Sequence, residues 1–222
     1  MAGSDERIKR DVVDSLYWDD RLDASNIQVS LEDGRVSLTG SVPSLPARQA
    51  AVDDALAISG VRSVECSLEV QHPPETTVPS DFEIRERTEQ LLKWSPDLDV
   101  ASVNVSVQDG RVSLEGTMDA YWKKHLAERL ARNVAGVTAV ENKLAITPKG
   151  DYLDKEIAAE ITAAMDRSPL LEPGAVNVRV EKGAVTLTGT APTWASRGAA
   201  YEAALYTPGV AEIHDYIDVA AP

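Results

Sequence analysis

Three histidines, His72, His125 and His214, and one cysteine, Cys66, are the residues of this 222-residue chain best able to carry chemistry near neutral pH. A zinc site needs closely spaced His, Cys or carboxylate ligands, and a cysteine nucleophile needs a base within reach. The histidines share no spacing with one another or with Cys66, so neither arrangement is written here. Cys66 falls on the inward side of an alternating strand and reads as a small buried hydrophobe. A phosphate cradle needs a glycine-rich turn from strand into helix, whereas Gly34 and its counterparts join strand to strand. The acidic loop Asp19, Asp20 and Asp23 lacks the glycine and terminal glutamate of an EF-hand calcium loop and reads more simply as a solvated helix end. The sequence therefore predicts no enzyme, no cofactor and no metal centre.

What remains are residues suited to binding. Tyr121, Trp122, Lys123, Lys124 and His125 form a basic-aromatic cluster where a helix begins. Aromatics beside lysines suit a lipid headgroup boundary or a partner groove. The plainer alternative has Tyr121 filling a repeated aromatic slot, Trp122 at the helix edge and the lysines on a solvated face. Trp194 holds the same slot as Tyr121. Trp18 and Trp94 occupy equivalent positions at helix ends, with Arg167 as their counterpart. A core position would not tolerate that arginine, so these rings are expected at an edge, available to a neighbouring copy or to a partner. Net charge narrows the partners. It is −14 for the chain, with −6 in residues 5–72, −1 in 80–149, −6 in 151–222 and the last unit from Glu75. Nucleic-acid binding needs clustered Lys and Arg, so it is excluded as an expectation, and the same field repels anionic membranes at long range.

The elements that position these residues repeat three times. Gly34, Gly40 and Gly60 recur 76 residues on as Gly110, Gly116 and Gly136, then 73 further as Gly183, Gly189 and Gly209. Ile27, Val29 and Leu31 alternate ahead of Gly34, and Val36 and Leu38 follow it. Two alternating runs joined by Asp33-Gly34, Asp109-Gly110 or Lys182-Gly183 read as hairpins with two-residue turns. Gly40, Gly116 and Gly189 read as close approaches of the second strand to a helix. A stripe at i, i+4 spacing, Ile8, Val12 and Leu16, then Ile84, Thr88 and Leu92, then Ile157, Ile161 and Met165, predicts a first helix per copy. In the second copy Ser80 and Glu83 form a capping-box pattern. Alanine pairs, Ala51 and Ala55, Ala127 and Ala131, Ala200 and Ala204, mark a second helix. Gly60, Gly136 and Gly209 are expected as its C′ glycines, ahead of a third strand.

The expected fold is α+β, with three tandem αββαβ two-layer units, each a three-stranded mixed sheet with two helices on one face. The domains read as residues 4–72, 80–148 and 151–220, with a Pro-rich linker at 73–79 and a short one at 149–150. The Pro-rich joint predicts a semi-rigid spacer. The short joint predicts tighter restriction of the second and third copies.

The pattern Val112, Leu114, Gly116, Tyr121, Gly136, Val137, Val140 and Asn142, repeated as Val185, Leu187, Gly189, Trp194, Gly209, Val210, Ile213 and Asp215, resembles the BON domain, a bacterial module named from osmotic-stress and nodulation proteins. The first copy departs from it at Leu45 and Cys66. The resemblance implies a stress-response binding protein that docks proteins or phospholipid surfaces. Alternatively, it implies a potassium-responsive protein holding the ion by backbone carbonyls. No signal-peptide or membrane-spanning stretch is visible. The expectation is a cytoplasmic location if Met1 is the natural start, and a periplasmic one if an export signal has been removed.

Overall fold

The computed structural model describes residues 2–73 and 77–220, with side chains from residue 5 onward. Pro74, Glu75 and Thr76 of the expected linker lie outside the described residues, as do Met1, Ala221 and Pro222.

Each copy follows the order helix, strand, strand, helix, strand. The first contains α1 (Ala2–Trp18), β1 (Ile27–Glu32), β2 (Arg35–Val42), α2 (Leu45–Ala57) and β3 (Ser63–Val70). The second contains α3 (Asp81–Trp94), β4 (Val103–Gln108), β5 (Arg111–Met118), α4 (Tyr121–Arg132) and β6 (Ala139–Ile146). The third contains α5 (Asp154–Asp166), β7 (Val176–Glu181), β8 (Ala184–Ala191), α6 (Trp194–Leu205) and β9 (Glu212–Val219). Three separate sheets result, each with its second strand in the centre, antiparallel to the first and parallel to the third. Parallel pairing requires a crossover, and the second helix of each copy supplies it.

Patterning explains the layers. Val36 and Leu38 are fully buried while Gln28 and Ser30 are exposed, and the same division holds in the other copies. Both helices of a copy lie on the dry face. Val12 and Leu16 from α1 share one cluster with Ala51 and Ala55 from α2 and Val36, Leu38 and Leu68 from the sheet. Every member of the three alanine pairs is fully buried, so the second helix sits close on its sheet. Thr88, the polar member of the inward stripe, is buried too and donates its hydroxyl to the Ile84 carbonyl at 2.7 Å. That bond satisfies the group without leaving the helix.

Asp33-Gly34 and its counterparts have positive φ at both central residues, as a type I′ hairpin turn demands. The capping box also forms, with Ser80 Oγ accepting from the Glu83 amide at 3.3 Å and Glu83 accepting from the Ser80 amide at 2.8 Å.

Two expectations about glycine need correction. Gly40, Gly116 and Gly189 do not make room for the alanine-rich helix. A Cβ there would lie 1.9, 1.8 and 2.2 Å from the carbonyl oxygens of Asn26, Ser102 and Ala175, just ahead of the neighbouring first strand. The close approach is therefore between strands. Gly60, Gly136 and Gly209 are not C′ caps either, since α2 ends at Ala57, α4 at Arg132 and α6 at Leu205. Each glycine instead sits in a separate turn, closed in the first copy by the Val61 amide on the Ile58 carbonyl at 3.2 Å. Its bare face packs under the first helix, where a Cβ on Gly60 would meet Ile8 at 2.5 Å.

Candidate docking surfaces

The inward stripe of α1 decides where Trp18 points. Leu16 is buried, and two residues further on a helix turns about 200°, which carries Trp18 to the opposite side. The same offset from Leu92 places Trp94. The rings are 81% and 75% exposed, and Tyr17 beside Trp18 is 71% exposed, with the two rings edge to face at 5.5 Å. In the third copy Arg167 reaches Glu160 at 3.1 Å. Asp14, Asp19 and Asp20 share a shallow depression with Trp18. Asp19 is engaged within the chain, since Arg21 Nε donates to its carboxylate at 2.9 Å. Hydrogen bonds from Arg21 lower the Asp19 pKa to about 2. Asp54 nearby is pushed the other way, first by burial and then by the charge of Asp19. Asp23 accepts from the Ser25 amide at 3.1 Å. Two of the three acidic-loop carboxylates thus have local hydrogen-bond partners.

The cluster at the start of α4 is partly turned inward. Asp119 takes Lys123 Nζ at 2.8 Å and Lys149 Nζ at 2.8 Å, and these hydrogen bonds lower its pKa to about 2. The Lys123 side chain is only 19% exposed, and its ammonium lies 5.6 Å from the Trp122 ring centre. Trp122 is half-buried, 6.4 Å from Tyr206 of the third copy. Lys124 offers its backbone carbonyl to Asn142 Nδ2 at 2.9 Å. Tyr121 leaves its own copy and packs against the core of the third. His125 follows it, with Nε2 at 3.0 Å from the Tyr201 hydroxyl. Burial lowers the His125 pKa and raises those of Tyr121 and Tyr201. Trp194 likewise reaches across copies, donating Nε1–H to the Val61 carbonyl at 3.0 Å, with Arg197 stacked 4.8 Å from its ring centre. The seven aromatic and basic candidates thus divide. Trp18 and Trp94 face solvent, Tyr121 and Trp194 join copies, and Trp122, Lys123 and Lys124 are half-buried beside a copy junction.

Sequence reasoning missed two sets of structural polar residues. Asp81 accepts from the Asp109 and Gly110 amides at 2.8 and 2.9 Å, and Asp154 from the Lys182 and Gly183 amides at 2.8 and 3.0 Å. Each clamps a hairpin turn to the start of the first helix, and these backbone bonds lower the Asp154 pKa. The available signal is that Asp5, Asp81 and Asp154 all stand 29 residues before the turn glycine. The second set ties the second helix to the third strand, where Arg197 Nε meets Asp215 at 2.8 Å and Arg48 Nε meets Cys66 Sγ at 3.5 Å. Cys66 is half-buried against its core, next to a cation and not a base. His214 stacks on Tyr216 at 6.5 Å, remote in sequence from Cys66. Among the described residues no set of His, Cys, Asp and Glu converges as metal ligands, and no helix is long and apolar enough to cross a membrane.

The chain is 32% identical over 143 residues to osmotically-inducible protein Y of Escherichia coli K12, covering 63% of this chain and 71% of that one. It is 29% identical over 122 residues to an uncharacterized protein in the gshII 5′ region of Anaplasma centrale, covering 53% and 81%. Among solved structures, CdsD, a structural protein of the Type III secretion system of Chlamydia trachomatis, aligns over 96% of this chain and 92% of that one, at 14% identity and a TM-score of 0.27. That likeness is too loose to carry an argument. The family model of the BON domain matches residues 4–72, 80–148 and 153–221. With the αββαβ order and its glycine turns present in all three segments, the chain belongs to the BON domain family, as three tandem copies.

Proposed function

We propose that this chain is a non-catalytic, stress-related binding protein that docks a protein or phospholipid surface through the aromatic ends of α1 and α3. The observation that carries the reading is the exposure of Trp18 and Trp94, 81% and 75%, at the same position of two copies. Large aromatics supply much of the energy of docking contacts, and here they are neither absorbed by a core nor spent on a neighbouring copy. Similarity to an osmotically inducible protein supports the stress context. Trp122, Lys123 and Lys124 have a smaller part in this reading, because Lys123 is held by Asp119 and Trp122 lies against Tyr206. Charge adds a constraint. With −6 on the first copy and carboxylates around Trp18, a zwitterionic surface or a basic partner is favoured over an anionic bilayer.

The test is flotation of the full chain with phosphatidylcholine vesicles, with and without phosphatidylglycerol, alongside capture of proteins from a stressed-cell lysate. Trp18→Ala with Trp94→Ala is expected to abolish association and leave the circular dichroism unchanged. Undiminished binding by that double variant removes the basis of the proposal.

A further inference from the structure

The residue that opens each second helix stands at one position of the repeat, as Leu45, Tyr121 and Trp194. Each of the three leaves its own copy. Leu45 packs against the core of the second copy, Tyr121 against the core of the third, and Trp194 bonds to Val61 of the first. The order is first to second, second to third, third to first.

The receiving surface is also the same in each copy, formed by the end of the second helix and the beginning of the third strand. Leu45 shares a cleft with Arg132, Ala139 and Val140. Tyr121 packs against the third core, and one turn on His125 Nε2 lies 3.0 Å from the Tyr201 hydroxyl. Trp194 shares a cleft with Leu56, Ile58 and Val61. The next position repeats the agreement. Pro46 and Asn133 line one cavity, Trp122 lies 6.4 Å from Tyr206, and Ala195 and Ala57 line another cleft. Positions 46, 122 and 195 are equivalent in the repeat, and so are 57, 133 and 206. One head-to-tail interface is therefore used three times, and such an interface closes into a ring when its rotation allows.

We infer that residues 45, 121 and 194 are the keys of a copy-to-copy docking contact, and that their three different side chains fix which copy each one accepts. The chemistry of each key suits its own receiving cleft. The indole N–H of Trp194 finds the Val61 carbonyl, the Tyr121 ring enters the third core with His125 beside it at 3.0 Å from the Tyr201 hydroxyl, and Leu45, with no polar atom, packs on the second core in a cleft shared with Ala139 and Val140. A polar key in the wrong cleft would leave a partly buried donor unpaired, and an apolar key would leave a carbonyl unpaired, which makes mismatched docking unfavourable. The partner that this surface recognises is thus another copy of the same module. The inference stands on packing within the chain and does not depend on what the exposed tryptophans bind.

The experiment places the key of the first copy in the third, as Trp194→Leu in the full chain, and follows amide hydrogen exchange. Exchange across residues 56–64, the receiving surface of the first copy, is expected to rise about tenfold, with β8 in the third copy unchanged. Trp194→Phe, which keeps a six-membered aromatic ring and loses the pyrrole ring with its N–H, is expected to give a smaller rise at the same residues. If Trp194→Leu leaves residues 56–64 as protected as in the parent chain, side-chain identity does not select the partner and the inference fails. It fails equally if protection is lost throughout β8 in both variants, since position 194 would then serve the fold of its own copy.

Discussion

Replacing Gly189 by alanine tests the account of the strand glycines, because two other glycines of the same copy serve as controls. Gly189 has φ +138, and a Cβ there would lie 2.2 Å from the Ala175 carbonyl oxygen and 3.1 Å from Val176 Cα. Backbone in that region costs a side-chain-bearing residue about 1–3 kcal/mol. The clash is with backbone, so no rotamer change relieves it. Moving β7 away also weakens the bond from the Thr190 amide to the Ala175 carbonyl, 3.2 Å long, worth about 0.5–1.5 kcal/mol. The sum is about 1.5–4.5 kcal/mol. For a unit of this size each kcal/mol shifts melting by about 4–8 °C, so the transition of the third copy should fall by at least about 6 °C. Gly174 has φ +77 but nothing within 4 Å of its Cβ position, and Gly174→Ala should cost only the left-handed backbone, about 1–2 kcal/mol. Gly198 lies inside α6 with no positive φ and no neighbour within 4 Å, and Gly198→Ala should stabilise by about 0.5–1 kcal/mol. Urea unfolding of the full chain, followed by exchange at β8, reads all three. A Gly189→Ala variant no less stable than Gly174→Ala would mean that the Ala175 carbonyl is no obstacle at that position.

Ser80→Ala should lower the stability of the second copy by about 1 kcal/mol, through loss of the cap on α3, as read by urea unfolding. The His125 contact sets a pH dependence. Burial lowers its pKa below the ordinary 6.5, so as pH falls through 6.5 the unfolded chain takes up a proton before the folded one does, and stability declines. Melting at pH 7.5 and pH 5 should differ less for His125→Gln than for the parent chain. Asp119, lowered from 3.8 to about 2, acts in a separate window. Its contribution is present above pH 3.8 and disappears as pH falls through about 2, and Asp119→Asn should remove it at all higher pH. Melting in potassium and in sodium at equal ionic strength should coincide. A rise selective for potassium would favour the carbonyl-site alternative, since a ligand of the native state must stabilise it.

Much of the fold was legible because it rests on local rules repeated three times. Val36 and Leu38 alternate, Asp33-Gly34 turns, and Ile84, Thr88 and Leu92 recur on one helix face, so burial of each follows from periodicity alone. The glycines show the limit of that reasoning. Recurrence marks Gly116 as a place where a side chain cannot go, but only the fold shows that the obstacle is the Ser102 carbonyl and not the alanine helix. Periodicity also reports which face is buried without reporting what buries it. Tyr121 and Trp194 were visible as an aromatic slot, yet nothing local says that they enter another copy. Leu45, with no aromatic ring, shows in the sequence only as a departure from that slot. The edge position of Trp18 and Trp94 is legible because Arg167 in their slot excludes a core role, and both rings are exposed.

The most direct measurement is a hydrogen-exchange footprint of the full chain, free and bound to phosphatidylcholine vesicles or to the partner captured from lysate. Protection should be gained at residues 14–21 and 90–97, the ends of α1 and α3 that carry Trp18 and Trp94. Protection confined to the start of α4, around Trp122 and Lys123, with the two tryptophan-bearing ends unchanged, would contradict docking through them.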